Sequence, residues 1–163
     1  MCHPVEIYVS VKEQSLTLRK ANQLIAQFVV STAENGVGSQ LGSQKTPLGW
    51  HCIRAKIGAN LPINTVFKAR RPTSEIYSDQ LAKQYPERDW VLTRILWLSG
   101  LEVGFNRLGT VDSMQRYIYI HGTPDTEPMG IPRSHGCIRM RNQDILTIFD
   151  HVNVGAKVYI SES

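Results

Sequence analysis

Two histidines and one cysteine carry the most chemical information in this chain. His121-Gly122 closes an alternating segment. A loop with Gly and Pro follows, and the chain then reads Ser134-His135-Gly136-Cys137-Ile138-Arg139. A cysteine becomes a strong nucleophile at neutral pH when a neighbouring imidazole takes its proton or stabilises its thiolate. His121 lies 16 positions before Cys137 at the end of a strand-like run, so its backbone is fixed while the loop can fold Cys137 back toward it. Gly136 removes a side chain just ahead of the sulfur. The amides of Gly136 and Cys137 can then approach a substrate carbonyl as an oxyanion hole. Two other readings stand beside this one. A buried structural thiol is the commoner fate of a single cysteine, although a polar, glycine-containing loop is unlike a core strand. His121, His135 and Cys137 can also be read as zinc ligands. The His-x-Cys spacing is not a usual structural-zinc spacing, however, and neither Cys-x-x-Cys nor His-Glu-x-x-His accompanies it.

The chain must build a framework for these groups from 163 residues, enough for one domain. Its 42% hydrophobic and 20% charged content supplies a core and argues against intrinsic disorder. No apolar run approaches the roughly 20 residues that span a bilayer. The 18 Lys and Arg against 14 Asp and Glu leave +4, and these charges are scattered. A nucleic-acid binder wants a basic stripe with interleaved aromatics. The densest group, Arg133, Arg139 and Arg141, surrounds the cysteine motif and suits a pocket for an anionic small substrate. Cys2, Cys52 and Cys137 cannot all pair within one chain, which fits a reducing compartment. Met1-Cys2-His3-Pro4-Val5-Glu6 has neither a basic n-region nor a following apolar h-region. The expectation is an unexported, cytoplasmic protein.

Val5, Ile7, Val9 and Val11 alternate with polar residues as a half-buried strand does. Residues 15–19 and 24–31 repeat the pattern, so an antiparallel meander is expected, with a tight turn at Gln14. Residues 32–49 form a long loop punctuated by Asn35-Gly36, Gly38, Gly42, Pro47 and Gly49. Strands are expected at 50–57, 91–98, 116–121 and 156–160. Residues 58–89 are the least patterned and read as an insertion or lid with one helical turn near Ser78 to Gln84. Residues 143–152 carry Ile145, Leu146, Ile148, Phe149 and Val152 at helical spacing, with Asn142 placed as N-cap and Asp144 in the first turn. Cys52 reads as core, and Trp50, Trp90 and Trp97 as core or lid packing. The expected fold is mainly β, sandwich or barrel-like, with one C-terminal amphipathic helix.

His121-Gly122-Thr123 followed by Ser134-His135-Gly136-Cys137-Ile138-Arg139-Met140 resembles the signature of the L,D-transpeptidase (YkuD-type) catalytic domain. Lys45-Thr46-Pro47-Leu48-Gly49-Trp50 resembles the Thr-Pro-x-Gly segment of that family, and the early meander fits its N-terminal strands. The resemblance covers nearly the whole chain as a single domain. It implies a Cys137 nucleophile that attacks the L-centre carbonyl of the third residue of a peptidoglycan stem and expels D-Ala. It implies His121 as base, with His135 the alternative, and the Gly122 carbonyl orienting the His121 ring. It further implies backbone amides at His135, Gly136 and Cys137 around the oxyanion, with Ser134 and His135 shaping the loop. Arg139 stands where many members have Asn. It is the candidate for a substrate carboxylate, with a solvated surface position as the other reading. No cofactor or metal is implied. Water as acceptor makes an L,D-carboxypeptidase, and an amine makes a transpeptidase. With the unexported reading, the expectation is a carboxypeptidase trimming soluble muropeptides. Carbapenems are expected to acylate the same cysteine, and neither nucleic acid nor a membrane is an expected partner. A muropeptide-binding regulator without turnover is the non-enzymatic alternative. A catalytic Cys137 is expected to label rapidly at pH 6 in a His121-dependent way.

Overall fold

The alternation near the N-terminus builds three antiparallel strands, β1 (Val5–Ser10), β2 (Ser15–Lys20) and β3 (Gln23–Ser31). The computed structural model describes residues 3–163, so Cys2 lies outside the described residues. Ile7, Val9, Leu16 and Leu18 are buried on the inner face, as their spacing predicts. Residues 11–14 make the first turn, and Gln14 there adopts φ 49°. The following strands are β4 (Gly49–Ile57), β5 (Thr65–Lys68), β6 (Arg71–Ile76), β7 (Val91–Gly100), β8 (Tyr119–Thr123), β9 (Ile138–Arg141) and β10 (Lys157–Ser161). They join one 10-stranded sheet in the order β4-β10-β1-β2-β3-β9-β8-β7-β5-β6. β4 also pairs with β7, so the run from β4 to β7 closes into a barrel and hides its edges. The β5–β6 hairpin hangs outside this ring on the first residues of β7.

Inside the ring sits one large core. Val30, Ile53, Leu96, Leu98, Ile120, Ile138, Met140, Val158 and Ile160 line it. Helix α2 (Asn142–His151) lays Ile145, Ile148 and Phe149 on the same core. Here α2 begins one residue earlier than its sequence signals suggest. Arg141 is the N-cap, and Asn142 is already helical and 1% exposed. The Asn142 side chain is drawn away from capping by partners distant in sequence, described below.

Residues 58–89 are more ordered than their composition predicts. They form the β5–β6 hairpin and a short helix, α1 (Asp79–Gln84), where Ser78 Oγ accepts the Leu81 N–H at 3.1 Å. The period was masked by a register shift between Thr65 and Phe67 and by Pro72, which edge strand β6 tolerates. Trp90, Val66 and Leu92 bury a satellite cluster with Tyr77, Leu81 and Ala82, which seats α1 on the barrel. Residues 116–118 are not strand: β8 starts at Tyr119, and Tyr117 sits in a turn at φ 57°. Cys52 faces outward in β4 and is half-buried, because His51 and Ile53 take the inward positions. Trp50 and Trp97 are likewise half-buried, while Trp90 is core.

Ile148 is fully buried on α2, whereas Thr147 beside it is exposed. Ile148→Ala is expected to cost about 2–5 kcal/mol in urea unfolding, and Thr147→Ala within about 0.5 kcal/mol of zero.

Candidate active site

β8 and β9 run parallel at the centre of the barrel wall, with Ile120 opposite Ile138 and His121 opposite Arg139. Alternation sends Ile120, Ile138 and Met140 into the core. It sends Tyr119, His121, Cys137 and Arg139 to the opposite face. On the neighbouring strand, Trp97 stands opposite Tyr119 and Ile95 opposite His121. Cys137 packs there with Phe67, Ile95, Tyr119 and Trp97. The two residues singled out for catalysis thus share one face of two adjacent strands.

His121 is 2% exposed, and its Nδ1 lies 2.6 Å from the Gly122 carbonyl. A carbonyl can only accept, so Nδ1 carries the proton and Nε2 is left as the basic nitrogen. Burial lowers the imidazole pKa below its ordinary value, against the Gly122 hydrogen bond and Asp89, which raise it. The ring is therefore neutral at pH 7. Gly122 has no room for a side chain. A Cβ there would lie 2.4 Å from Asn142 Oδ1 and 2.6 Å from the Leu92 carbonyl. Asn142 Oδ1 accepts from Thr93 Oγ1 at 2.6 Å, and its Nδ2 donates to Asn64 Oδ1 at 2.9 Å. Asn64 N–H in turn donates to Thr93 Oγ1 at 3.0 Å.

The Cys137 thiol accepts from the Tyr119 N–H at 3.3 Å and donates toward the Tyr117 carbonyl at 3.4 Å. Burial pushes its pKa up to about 11; the Tyr119 contact, Arg139 and Arg116 pull against this. The resting nucleophile is a neutral thiol, not the low-pKa thiolate that rapid labelling at pH 6 would require. A neutral imidazole, that of His121, lies on the same face.

The loop before the sulfur is held by its carbonyls. Thr46 Oγ1 donates to the Gly136 carbonyl at 2.9 Å and accepts from Ala33 N–H at 3.0 Å. In a planar trans peptide, C=O and N–H point in opposite directions. Fixing the Gly136 carbonyl on Thr46 therefore turns the Cys137 N–H the other way. Among the described residues, neither the His135 nor the Cys137 amide has a protein acceptor, and the Gly136 amide makes only a long 3.3 Å contact to Ser134 Oγ. Gly136 has φ 131°, a conformation that disfavours any side chain. These amides have the character an oxyanion hole needs.

The other residues predicted from sequence occupy different places. Ser134 is 2% exposed, and its hydroxyl donates to the Cys137 carbonyl, so it shapes the loop and has no free face for substrate. His135 is exposed, and its Nδ1 lies 3.2 Å from Asp89 Oδ2. Arg139 is 7% exposed, which removes the solvated-surface reading. Its Nη2 meets Asp89 Oδ1 at 2.9 Å, and Glu127 lies 3.8 Å from Nη1, so its charge already has acidic partners. Sequence reasoning missed Asp89, Thr93, Asn142, Arg70 and Arg116. Partial burial raises the Asp89 carboxyl, but Arg139, His121 and His135 together hold it below the usual carboxylate range. Arg116 donates to the carbonyls of Lys45 (2.7 Å) and Gly38 (3.3 Å) behind the cysteine loop. Beside Asp89, Val66–Ala69, Arg88 and Val91 line a cavity of about 470 Å³. No group of three or more His, Cys, Asp or Glu suited to a metal occurs among the described residues. His135 turned to Asp89 breaks up the three-ligand set that the zinc reading needs.

The sequence pattern of the L,D-transpeptidase catalytic domain matches residues 4–160. The chain belongs to that family. It is similar to the probable L,D-transpeptidase ErfK/SrfK of Salmonella typhimurium, with 51% identity over 45 residues, 28% of this chain and 15% of that protein. It is similar to the probable L,D-transpeptidase YbiS of Escherichia coli, with 46% identity over 43 residues, 26% of this chain and 14% of that one. The fold matches that of L,D-transpeptidase 3 from Mycobacterium tuberculosis solved with a faropenem-derived adduct, with TM-score 0.61 at 15% identity, covering 98% of this chain and 61% of that one. It also matches LdtMt1 in complex with imipenem, with TM-score 0.59 at 16% identity, covering 98% and 59%. The matched region is thus a small part of the curated relatives and about three-fifths of these solved chains.

Thr46→Val keeps the side-chain shape but removes the hydroxyl that anchors the Gly136 carbonyl. Turnover is expected to fall about 10–100-fold with little change in KM, because the lost interaction orients amides that act in the transition state. Steady-state kinetics at fixed pH test this.

The pH profile follows from the two titrating groups. An imidazole serves as a base only when neutral, and the His121 pKa is lowered, so with His121 as base kcat/KM should hold constant as pH falls through 6.5 and decline only below it. Alkylation of resting Cys137 should rise about tenfold per pH unit from 7 to 10, as expected for a thiol near 11. A labelling rate already at its plateau at pH 7 would contradict this account.

Proposed function

We propose that this protein is a cysteine-dependent L,D-acyltransferase of peptidoglycan stem peptides, with water as the principal acceptor. The Cys137 sulfur attacks the carbonyl of the third stem residue, bonding to carbon as its proton passes to His121 Nε2. The carbonyl oxygen takes the negative charge against the amides of His135, Gly136 and Cys137. Collapse breaks the peptide bond, His121 returns the proton to the departing D-Ala amine, and a thioester remains on Cys137. Water, deprotonated by His121, then releases the tripeptide acid and the free thiol. The observation that supports this reading is that Cys137 and His121 lie on one face of adjacent strands, beside His135 and Cys137 amides that have no protein acceptor among the described residues.

Hydrolysis of soluble tetrapeptides is favoured by the wall that residues 58–89 build along the site. Asp89 holds His135 and Arg139, and the β5–β6 hairpin leans on Trp97 and Tyr117, so the segment occupies space beside the site that a second stem peptide would need. Free thiols at Cys52 and Cys137 suit a reducing compartment, and the proposed substrate is a muropeptide in the cytoplasm. Transfer to an amine is the second reading, favoured by the names of both curated relatives. The imipenem complex of one structural neighbour and the faropenem-derived adduct of another support a β-lactam, such as a carbapenem, as an acylating agent of Cys137.

The test is mass spectrometry of products from a disaccharide-tetrapeptide, with and without a D-amino acid. Loss of one alanine without acceptor, absent in Cys137→Ala and lowered about 10²–10⁴-fold in His121→Ala, is the expected result. Exchange products or dimers with little hydrolysis would move the assignment to transpeptidase. A carbapenem adduct on the intact protein should appear only when Cys137 is present.

A further inference from the structure

The β5–β6 turn breaks a rule of turn chemistry. Lys68 pairs with Arg71, leaving a two-residue loop of Ala69 (φ 48°) and Arg70 (φ 67°). Two successive positive φ values ordinarily call for Asn-Gly, since a Cβ is strained there. Such strain is retained where the side chain has a use. Arg70 has a defined place. Its guanidinium carbon lies 4.5 Å from the Trp97 ring centroid and 4.7 Å from that of Tyr117, and Nη1 donates to Tyr119 Oη at 3.0 Å. Tyr117 and Tyr119 are the residues whose backbone carbonyl and amide contact the Cys137 sulfur. Arg70 is therefore joined to the surroundings of the Cys137 sulfur through both tyrosines.

The other cations near the sulfur are occupied. Arg139 is paired with Asp89 and approached by Glu127, and Arg116 is bound to loop carbonyls. No acidic side chain pairs with Arg70 among the described residues. Two aromatic faces and a phenol fix its plane and leave N–H groups of the fork without acceptors. A planar fork held this way is suited to a carboxylate. Arg54 also lies over Trp97, at 5.3 Å, but touches neither tyrosine.

We propose that Arg70 is the specificity-determining residue that binds the free terminal carboxylate of the acyl-donor peptide, on the leaving-residue side of the scissile bond. This rests on the acyl-donor chemistry proposed above and reassigns to Arg70 the carboxylate role that the sequence suggested for Arg139.

The test uses Cys137→Ala protein, which holds substrate without reacting, titrated calorimetrically with a tetrapeptide acid and its C-terminal amide. The acid is expected to bind about tenfold more tightly than the amide. Arg70→Gly relieves the positive φ and removes the guanidinium, so thermal stability should stay near the parent's while the acid preference disappears. Arg54→Ala should keep the preference, and Arg70→Lys should retain only part of it. An acid preference that survives in Arg70→Gly, or is absent in the parent while the wild type releases D-Ala, overturns the inference and leaves the hydrolase reading standing. A wild type that neither binds nor cleaves either peptide overturns both.

Discussion

The site depends on one close approach, at Gly122. Its α-carbon is pressed against the Leu92 carbonyl and Asn142 Oδ1, so a single added methyl group would collide with both. The approach is possible because β7 bulges there. Its register against β8 shifts between Leu92 and Ile95, and Thr93, a β-branched residue, takes φ 73°. That conformation is costly for threonine. It is stabilised by a buried polar knot in which Thr93, Asn142 and Asn64 satisfy one another. The Gly122 carbonyl so placed holds the His121 ring. Strand, helix α2 and the 58–89 segment thus converge on one hydrogen bond that selects the tautomer of the base.

The electrostatics complement that geometry. Burial disfavours charge on both reacting groups, leaving a neutral thiol and a neutral imidazole at rest. In the proposed reaction, proton transfer creates an imidazolium and an oxyanion where neither existed before. Asp89 favours the protonated form of His121 but disfavours a thiolate at Cys137, Arg139 does the reverse at both groups, and Arg116 favours negative charge at Cys137. The fixed charges around the two groups therefore oppose one another, and burial remains the largest influence on each.

Much of this was legible in the sequence, for physical reasons particular to each element. The meander, β4, β7 and α2 have one buried face, and burial on one face imposes a period. Spacing alone left Cys137 and His121 open to three readings, nucleophile and base, structural thiol, or zinc ligands, and it was the resemblance to a family signature that singled out the first. Asn142 was misread because an Asn before an apolar run ordinarily caps a helix, while its actual partners, Thr93 and Asn64, lie 49 and 78 residues away. The β5–β6 hairpin was missed because Ala69-Arg70 is not a turn signature and Pro72 interrupts a strand. Arg139 looked available because Asp89, which holds it, lies 50 residues upstream. Local pattern reveals elements. It does not reveal which distant polar group will meet a side chain once the barrel closes.

The 58–89 segment is better understood as a wall of the site than as a lid. A lid touches substrate and can leave; this segment touches the catalytic apparatus at three points. Asn64 supports Asn142 and hence Gly122 and His121. Arg70 seats on the tyrosines that contact Cys137. Asp89 bridges His135 and Arg139 on either side of the sulfur. Satellite apolar clusters around Trp90 and Phe67 fasten it between these contacts. A segment so attached cannot open without loosening the base, the nucleophile's surroundings and the oxyanion loop together. The barrel supplies the thiol and imidazole. The insertion supplies the contacts, at Asn64, Arg70 and Asp89, that brace their surroundings.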